Sequence, residues 1–197
     1  LAIPVLGGAL SYMMAEAFDW PERLNKKFHQ ARGFYIPLVV SHMSFGALSR
    51  EAKVALATGA AAAGTAICSG EGGMLGDERD AASRYVLEMA SGYFGWSEEN
   101  IARADAVEIK CGQGAKPGLG GLLPGSKVTP EIAEVRGIPE GTDSHSPSRF
   151  PDLSSPAALA ERLAWIRSVN PRIPIGIKVA AGRIEDEHEG AWVHPKN

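Results

Sequence analysis

The chain has 197 residues, is 45% hydrophobic and carries a net charge of -3 at pH 7. This length and composition are sufficient for one globular domain with a sizeable core. No basic excess is present, which argues against nucleic acid as a partner. The apolar segment 1–14 is broken by Pro4 and two glycines, is too short to cross a bilayer, and lacks the basic start of a signal peptide. We therefore interpret it as a packed segment rather than the remnant of a membrane anchor.

The two cysteines of the chain also limit the possible functions. Cys68 and Cys111 cannot form a disulfide framework, and no CxxC-type spacing is present, so the sequence predicts no metal site. This pattern fits a reducing compartment, and we expect the protein in the cytoplasm. Because the chain opens at Leu1 without an initiator methionine, we interpret the sequence as a fragment.

Predicted strands and helices alternate along the chain. Short apolar runs predict four buried strands, at Tyr35–Ser41, Thr65–Cys68, Ala106–Ile109 and Ile173–Val179. Capping residues and apolar spacing predict helices at Leu48–Ala63, at Tyr85–Ala90, from Ser97, at Pro130–Val135 and from Ser155. In the first helix, Ser49 is the expected N-cap and Gly64 the expected end. This alternation predicts a parallel sheet with crossover helices, either a (β/α)8 barrel or a doubly wound sheet.

The most informative loop follows the third predicted strand. Lys110, Gln113 and Lys116 occur at three-residue spacing in a glycine-rich backbone, and Lys178 ends the fourth predicted strand in the same way. Because carboxyl ends of parallel strands share one edge, two lysines there predict a site with anionic contents. The alternative is a simple salt bridge, since Glu108 points to the same side of its strand as Lys110.

Three other places are candidates for function, each with a structural alternative. Residues 43–49, which include Gly46, form either a backbone shelf against a flat ligand or an ordinary turn before a capped helix. Glu71, flanked by glycines, is either a base or amine-binding group, or a solvated loop residue. Arg136 either binds a carboxylate or lies at a helix end, where the helix dipole favours it.

Several motifs in this order resemble the FMN-binding synthase domain of glutamate synthase. They are Met43-Ser44-Phe45-Gly46-Ala47-Leu48-Ser49, Ser69-Gly70-Glu71-Gly72-Gly73, Glu108-Ile109-Lys110, Gln113-Gly114-Ala115-Lys116-Pro117-Gly118, Lys127-Val128-Thr129-Pro130-Glu131-Ile132-Ala133 with Arg136, and Ile177-Lys178-Val179. The resemblance runs over 35–183, between an irregular or helical segment at 1–34 and an irregular tail at 184–197. The region 143–152 looks closer to archaeal-type relatives and to a methylamine–glutamate N-methyltransferase subunit.

The resemblance implies a TIM barrel that binds FMN and reduces 2-iminoglutarate, formed from 2-oxoglutarate and ammonia, to L-glutamate. By position, the implied cofactor-binding residues are Met43, Ser44, Gln113 and Lys178. Lys110, Lys116 and Arg136 would hold the substrate carboxylates, while Glu71 and Lys110 would be the catalytic residues, with Glu71 near the ammonia entry. A glutaminase subunit or domain and an electron donor are the implied partners.

The sequence also departs from the family pattern. Leu119 and Leu122 occupy positions that are often polar in the family, and the cysteines that ligate a 3Fe-4S cluster are not present. A full barrel needs about 250 residues, so we expect only about the first four βα units here, without the FMN phosphate site. Two alternatives remain open: a non-catalytic half-barrel that binds an acidic metabolite or a partner chain, and an amine-transferring relative that acts on methylamine and glutamate.

Overall fold

The computed structural model describes residues 39–113 and 119–179. The predicted segments at 1–34 and 184–197 therefore lie outside the described residues, as does most of the first predicted strand. Lys116 lies outside them as well. Within the described part of the chain, no helix has both the length and the apolar character needed to cross a membrane.

Helices and strands alternate over most of the described chain. In chain order the elements are α1 (Arg50–Ala62), β1 (Ile67–Cys68), α2 (Gly76–Ala81), β2 (Tyr85–Ala90), α3 (Glu98–Arg103), β3 (Ala106–Lys110), β4 (Leu122–Leu123), a 3-10 turn (Gly125–Lys127), α4 (Pro130–Arg136), β5 (Ser144–His145), α5 (Pro156–Val169) and β6 (Ile175–Lys178). The predicted helix beginnings are confirmed, because Ser49, Ser97 and Ser155 each accept a hydrogen bond from a backbone N–H of their helix. Gly64 follows α1 with φ 69°, as the sequence predicts.

The main sheet is parallel, and its strands lie in the order in which they occur along the chain. The order is β1-β2-β3-β6, and Val40 adds a parallel bridge to Ile67 on the outer side of β1. The remaining pair, β4 with β5, is antiparallel. A parallel sheet with crossover connections is therefore confirmed. Because spatial order follows chain order, this part of the sheet is wound in one direction only.

One predicted element is wrong, because Tyr85–Ala90 is strand β2 and not a helix. The residues Leu, Glu, Met and Ala are good helix formers, so local propensity favours a helix here. Pairing with β1 on one side and with β3 on the other outweighs that preference. The sheet consequently contains a strand that the sequence pattern alone did not predict.

The two faces of the central strands differ in chemistry. On one face Leu87, Met89, Val107 and Ile109 are fully buried in the main hydrophobic core, which also includes Ile166 of α5. Side chains of neighbouring positions point to the opposite face, because strand residues alternate. That face carries the charged residues of β2 and β3, and the site lies there.

A buried ion pair joins the helical layer to the loops that leave the strands. Lys53 of α1 is 1% exposed, and its Nζ lies 2.8 Å from Oε1 of the fully buried Glu78. The same ammonium group donates to the carbonyl oxygens of Met43 at 2.6 Å and Ser69 at 3.0 Å. Tyr85 donates its hydroxyl to Glu78 at 2.8 Å. Burial raises the pKa of Glu78, although the charge of Lys53 opposes this shift.

We expect Lys53→Met to lower the free energy of unfolding by about 3–5 kcal/mol, because it leaves Glu78 charged and buried without its partner. Chemical denaturation at pH 7 measures this loss. Arg50→Met is the matched control on the same helix, since Arg50 is exposed and contacts Asp77 and Glu131 at the surface. Equal losses for the two variants would contradict the assignment of Lys53 as a structural anchor.

Candidate active site

The carboxyl ends of β3 and β6 bring two lysines together. Lys110 and Lys178 are register partners on these adjacent strands, so the predicted meeting of the two strand-end lysines is confirmed. Glu88 and Glu108 are register partners one step earlier, on β2 and β3. Because residues two apart on a strand point to the same side, all four side chains face one side of the sheet.

These side chains form a continuous series of contacts in which negative and positive charges alternate. Lys110 Nζ lies 2.9 Å from Glu71 Oε2 and 3.5 Å from Glu88 Oε1. Lys178 Nζ lies 2.7 Å from Glu88 Oε2 and 3.8 Å from Glu108 Oε1. We call the series from Glu71 through Lys110, Glu88 and Lys178 to Glu108 the charge series.

His42 lies at the far end of the charge series. Its Nε2 is 2.7 Å from Glu108 Oε1 and 3.6 Å from Glu88 Oε2. Burial alone would raise the pKa of Glu108, but its contacts with His42 and Lys178 outweigh burial and lower the pKa overall. At the other end, burial lowers the pKa of Lys110, but the charges and hydrogen bonds of Glu88 and Glu71 outweigh it and raise the pKa overall.

The salt bridge between Glu108 and Lys110, which the sequence left open as an alternative, is not formed, because Lys110 has other partners. Residues two apart on one strand are separated by nearly 7 Å along the backbone, whereas neighbouring strands are about 4.8 Å apart. Lys110 therefore pairs with Glu88 of the next strand and with Glu71 of a loop. The charges balance across strands and not along them.

A small polar pocket opens beside the Glu71 end of the charge series. Its lining includes Glu71, Lys110, Cys111, Gln113, Leu119 and Ser146. Ser146 is 1% exposed, lies 3.4 Å from Glu71 Oε1 through its hydroxyl, and accepts a hydrogen bond from the Gly121 N–H at 2.7 Å. A Cβ atom at Gly121 would collide with the Glu71 carboxylate in its present position, so glycine leaves room for this close approach. Glu71 is thus part of the pocket wall, in contact with Lys110 and Ser146.

Arg136 and the turn before α1 have defined structural roles. Arg136 is 4% exposed and donates to the Phe45 carbonyl oxygen at 2.8 Å and to the Ser144 hydroxyl at 2.9 Å. Burial lowers its pKa. Ser44 accepts backbone hydrogen bonds from Ala47 and Leu48, so the turn predicted as one alternative for 43–49 is present. These contacts hold the turn in place; whether Arg136 and Ser44 also bind ligands stays a prediction.

Sequence reasoning missed Glu88, His42 and Ser146. Glu88 was missed because its segment was predicted as a helix, yet a short apolar run that ends in Ser91-Gly92 is also the signal of a buried strand. His42 directly follows a predicted strand, as Lys110 does, and this position alone could have identified it as a site residue. Ser146 reaches the pocket because β5 pairs with β4, and no local pattern predicts that pairing.

Four possible metal ligands also meet here. The donor atoms of His42, Cys68, Glu88 and Glu108 lie within 4.8 Å of one another. The Lys178 ammonium group lies 2.7 Å from Glu88, so a cation of the protein already neutralises these carboxylates. Burial, followed by the charge of Glu88, raises the pKa of Cys68, which favours the neutral thiol over a thiolate ligand.

Gly70 places Glu71 through close contact between two loops. It has φ 68°, and a Cβ atom there would lie 2.5 Å from the backbone nitrogen of Ser44. We expect Gly70→Ala to lower stability more than Gly64→Ala, which has a similar φ of 69° but open space around it. Left-handed backbone costs a non-glycine residue about 1–2 kcal/mol in both variants, and only Gly70→Ala must also displace a loop. Denaturant unfolding of both variants tests this, and equal losses would contradict it.

The ionisation of Glu108 should make the free energy of unfolding depend on pH in the acidic range. Its folded-state pKa lies below the ordinary value of 4.5, so its contribution is present above that pH and disappears as the pH falls through the folded value. We expect Glu108→Gln to be less stable than wild type at pH 6, and the difference in stability to shrink as the pH falls below 4.5. Glu99→Gln, at an exposed position, is the control. A difference between wild type and Glu108→Gln that stays constant over this pH range would refute the prediction.

Comparison with known proteins shows which family the sequence is similar to. A family profile described as a conserved region in glutamate synthase matches residues 10–196. A glutamate synthase large subunit-like protein of Rhizobium meliloti is 40% identical over 149 residues, which are 75% of this chain and 34% of that protein. An archaeal glutamate synthase (NADPH) of Methanocaldococcus jannaschii is 42% identical over 146 residues, covering 74% of this chain and 29% of that protein.

The glutamate synthase (NADPH) large chain of Bacillus subtilis is 39% identical over 148 residues, which are 71% of this chain and 10% of that chain. The chain described here thus spans about a third or less of the length of the relatives it matches. The profile match covers nearly all of the chain, and it includes the loops that carry Glu71 and Lys110. The resemblance found in the sequence motifs is confirmed: the chain belongs to the glutamate synthase family.

Proposed function

We propose that this chain is part of an FMN-dependent oxidoreductase that reduces 2-iminoglutarate, formed from 2-oxoglutarate and ammonia, to L-glutamate. The observation that carries the proposal is the meeting of Lys110 and Lys178 at the carboxyl ends of adjacent strands, beside a pocket walled by Glu71. Family membership supports the same reaction class. Two of these relatives are named glutamate synthase (NADPH), a name that denotes an oxidoreductase.

The sheet topology favours a TIM barrel as the complete fold. Strand order that follows chain order is how a barrel is wound, whereas a doubly wound sheet reverses direction at a switch point. Barrel enzymes carry their active sites at the carboxyl ends of the strands. The charge series and the pocket lie at that end of β3 and β6, as both architectures require, so the strand order is the observation that favours the barrel.

The donor chemistry at this end fits the polar edge of a flavin ring. Lys178 offers an ammonium group and Gln113, which lines the pocket, offers an amide. In the proposed enzyme these two residues bind FMN, and Met43 and Ser44 lie against it. Bound FMN, once reduced by an electron donor, would supply the hydride for the reduction. The contribution of Lys178 is electrostatic, because a cation at the ring edge stabilises negative charge there.

The remaining site residues bind the substrate and handle protons in this proposal. Lys110, which lines the pocket, holds a carboxylate together with Lys116 and Arg136. Glu71 Oε2 lies 2.9 Å from Lys110 Nζ, so a carboxylate and an ammonium group stand side by side in the pocket wall. Glu71 receives the proton that ammonia releases or positions its nitrogen. An electron donor and a glutaminase subunit or domain complete the system, in the cytoplasm.

An amine-transferring reaction is a second candidate. Leu119 is 68% exposed and lines the pocket, at a position that is often polar in the family. An apolar wall next to Glu71 suits a methyl-bearing amine better than ammonia. Steady-state rates with 2-oxoglutarate, ammonium and a reductant for the flavin, and with glutamate and methylammonium, separate the two candidates. The better substrate identifies the reaction.

We expect Lys110→Met to lower kcat/KM for 2-oxoglutarate by about 100-fold or more, the loss typical for removal of one preorganised charge at a reacting group. Glutamate formation from 2-oxoglutarate and ammonium measures this, in the complete enzyme of which this chain is proposed to be part, loaded with FMN and supplied with a chemical reductant. Lys127→Met, at an exposed position of the 3-10 turn, is the control and should retain wild-type rates. A complete wild-type enzyme that forms no glutamate, or a Lys110→Met variant with full activity, would overturn the proposed function.

A further inference from the structure

We propose that Glu88 is the positioning residue of this site, and that its single carboxylate holds the ammonium groups of both Lys110 and Lys178. Its importance for catalysis rests on the proposed function, in which these lysines face the substrate and the flavin. The positioning itself is a property of the folded chain and is testable without turnover.

Glu88 is held rigidly. It is 1% exposed and lies in the middle of β2, between Leu87 and Met89, which are fully buried in the core on the other face. Its backbone N–H donates to the Ser69 hydroxyl at 2.9 Å, which fixes the strand at this residue. Because strand residues alternate between faces, the carboxylate points to the charged face.

Each oxygen of Glu88 serves a different lysine. Oε2 accepts a hydrogen bond from Lys178 at 2.7 Å, and Oε1 lies 3.5 Å from Lys110 Nζ. The register places these two lysines directly beside each other on adjacent strands, where two ammonium groups repel. A buried carboxylate that contacts both removes this repulsion and lets both charges stay at the same rim.

The position of Glu88 in the charge series makes it different from the other two carboxylates. Glu71 contacts only Lys110 among the two lysines, and Glu108 contacts only Lys178. Loss of Glu88 would therefore release both lysines, each toward its outer carboxylate. Loss of Glu108 would affect only one of them directly. This asymmetry separates a positioning role of Glu88 from a general loss of negative charge.

Lysine side-chain NMR of the full chain tests the proposal. Hydrogen-bonded ammonium protons exchange slowly with water, and the signals of the two lysines are assigned with Lys110→Arg and Lys178→Arg. We expect Glu88→Gln to speed proton exchange at both lysines. The increase should be about tenfold or more at Lys178, which loses a hydrogen bond to a charged group, and smaller at Lys110, which loses an ion-pair contact at 3.5 Å but keeps its hydrogen bond to Glu71. Glu108→Gln is the matched control and should speed exchange only at Lys178.

Unchanged exchange at Lys110 in a folded Glu88→Gln protein would overturn the proposal, as would an effect of equal size on Lys110 in Glu108→Gln. If Glu88→Gln does not fold, Glu88→Asp serves instead. It keeps the charge but shortens the reach, so exchange should rise at both lysines, and unchanged exchange at either lysine would overturn the proposal. A protein that shows the coupled change but forms no glutamate would overturn the proposed function alone.

Discussion

The site depends on the contacts that the buried ammonium group of Lys53 makes. It is buried under the strand ends, where it joins the Met43 and Ser69 carbonyl oxygens to the carboxylate of Glu78. One charged group thereby ties together the loop that carries Ser44 and the loop that carries Glu71. A buried ion pair often adds little to stability compared with apolar packing, but removing one partner is strongly destabilising. Its value here is that it brings two functional loops to one place.

The register of the parallel sheet brings like charges together, and the contacts of the charge series offset their repulsion. Register places Glu88 beside Glu108 and Lys110 beside Lys178, so like charges are direct neighbours. The glutamate pair contacts the lysine pair, and Glu88 contacts both lysines. These contacts convert two repelling pairs into a network in which the charges alternate. The charged side chains on this face of the sheet can then be buried, while the Glu71 end of the charge series stays open to the pocket. A ligand at that end meets charges that are already oriented.

Much of the fold could be predicted because its signals are local. Ser49, Ser97 and Ser155 cap helices as expected, and the strand that ends at Lys110 was predicted to within one residue. Tyr85–Ala90 could not be predicted from propensity, because its strand form comes from pairing with two neighbours far away in sequence. Because this strand was not predicted, Glu88 was not recognised as a site residue. Ser146 was missed for the same reason, since its position depends on the pairing of β4 with β5.

The sequence by itself determined the family, the parallel character of the sheet and the residues that end its strands, among them Lys110 and Lys178. Glycine-rich loops and capping residues act over a few positions, so their meaning can be read locally. Only the tertiary structure decided which charge neutralises which. Lys110 turned to Glu88 and Glu71 rather than to Glu108, because partners on adjacent strands and loops are closer than residues two apart on one strand.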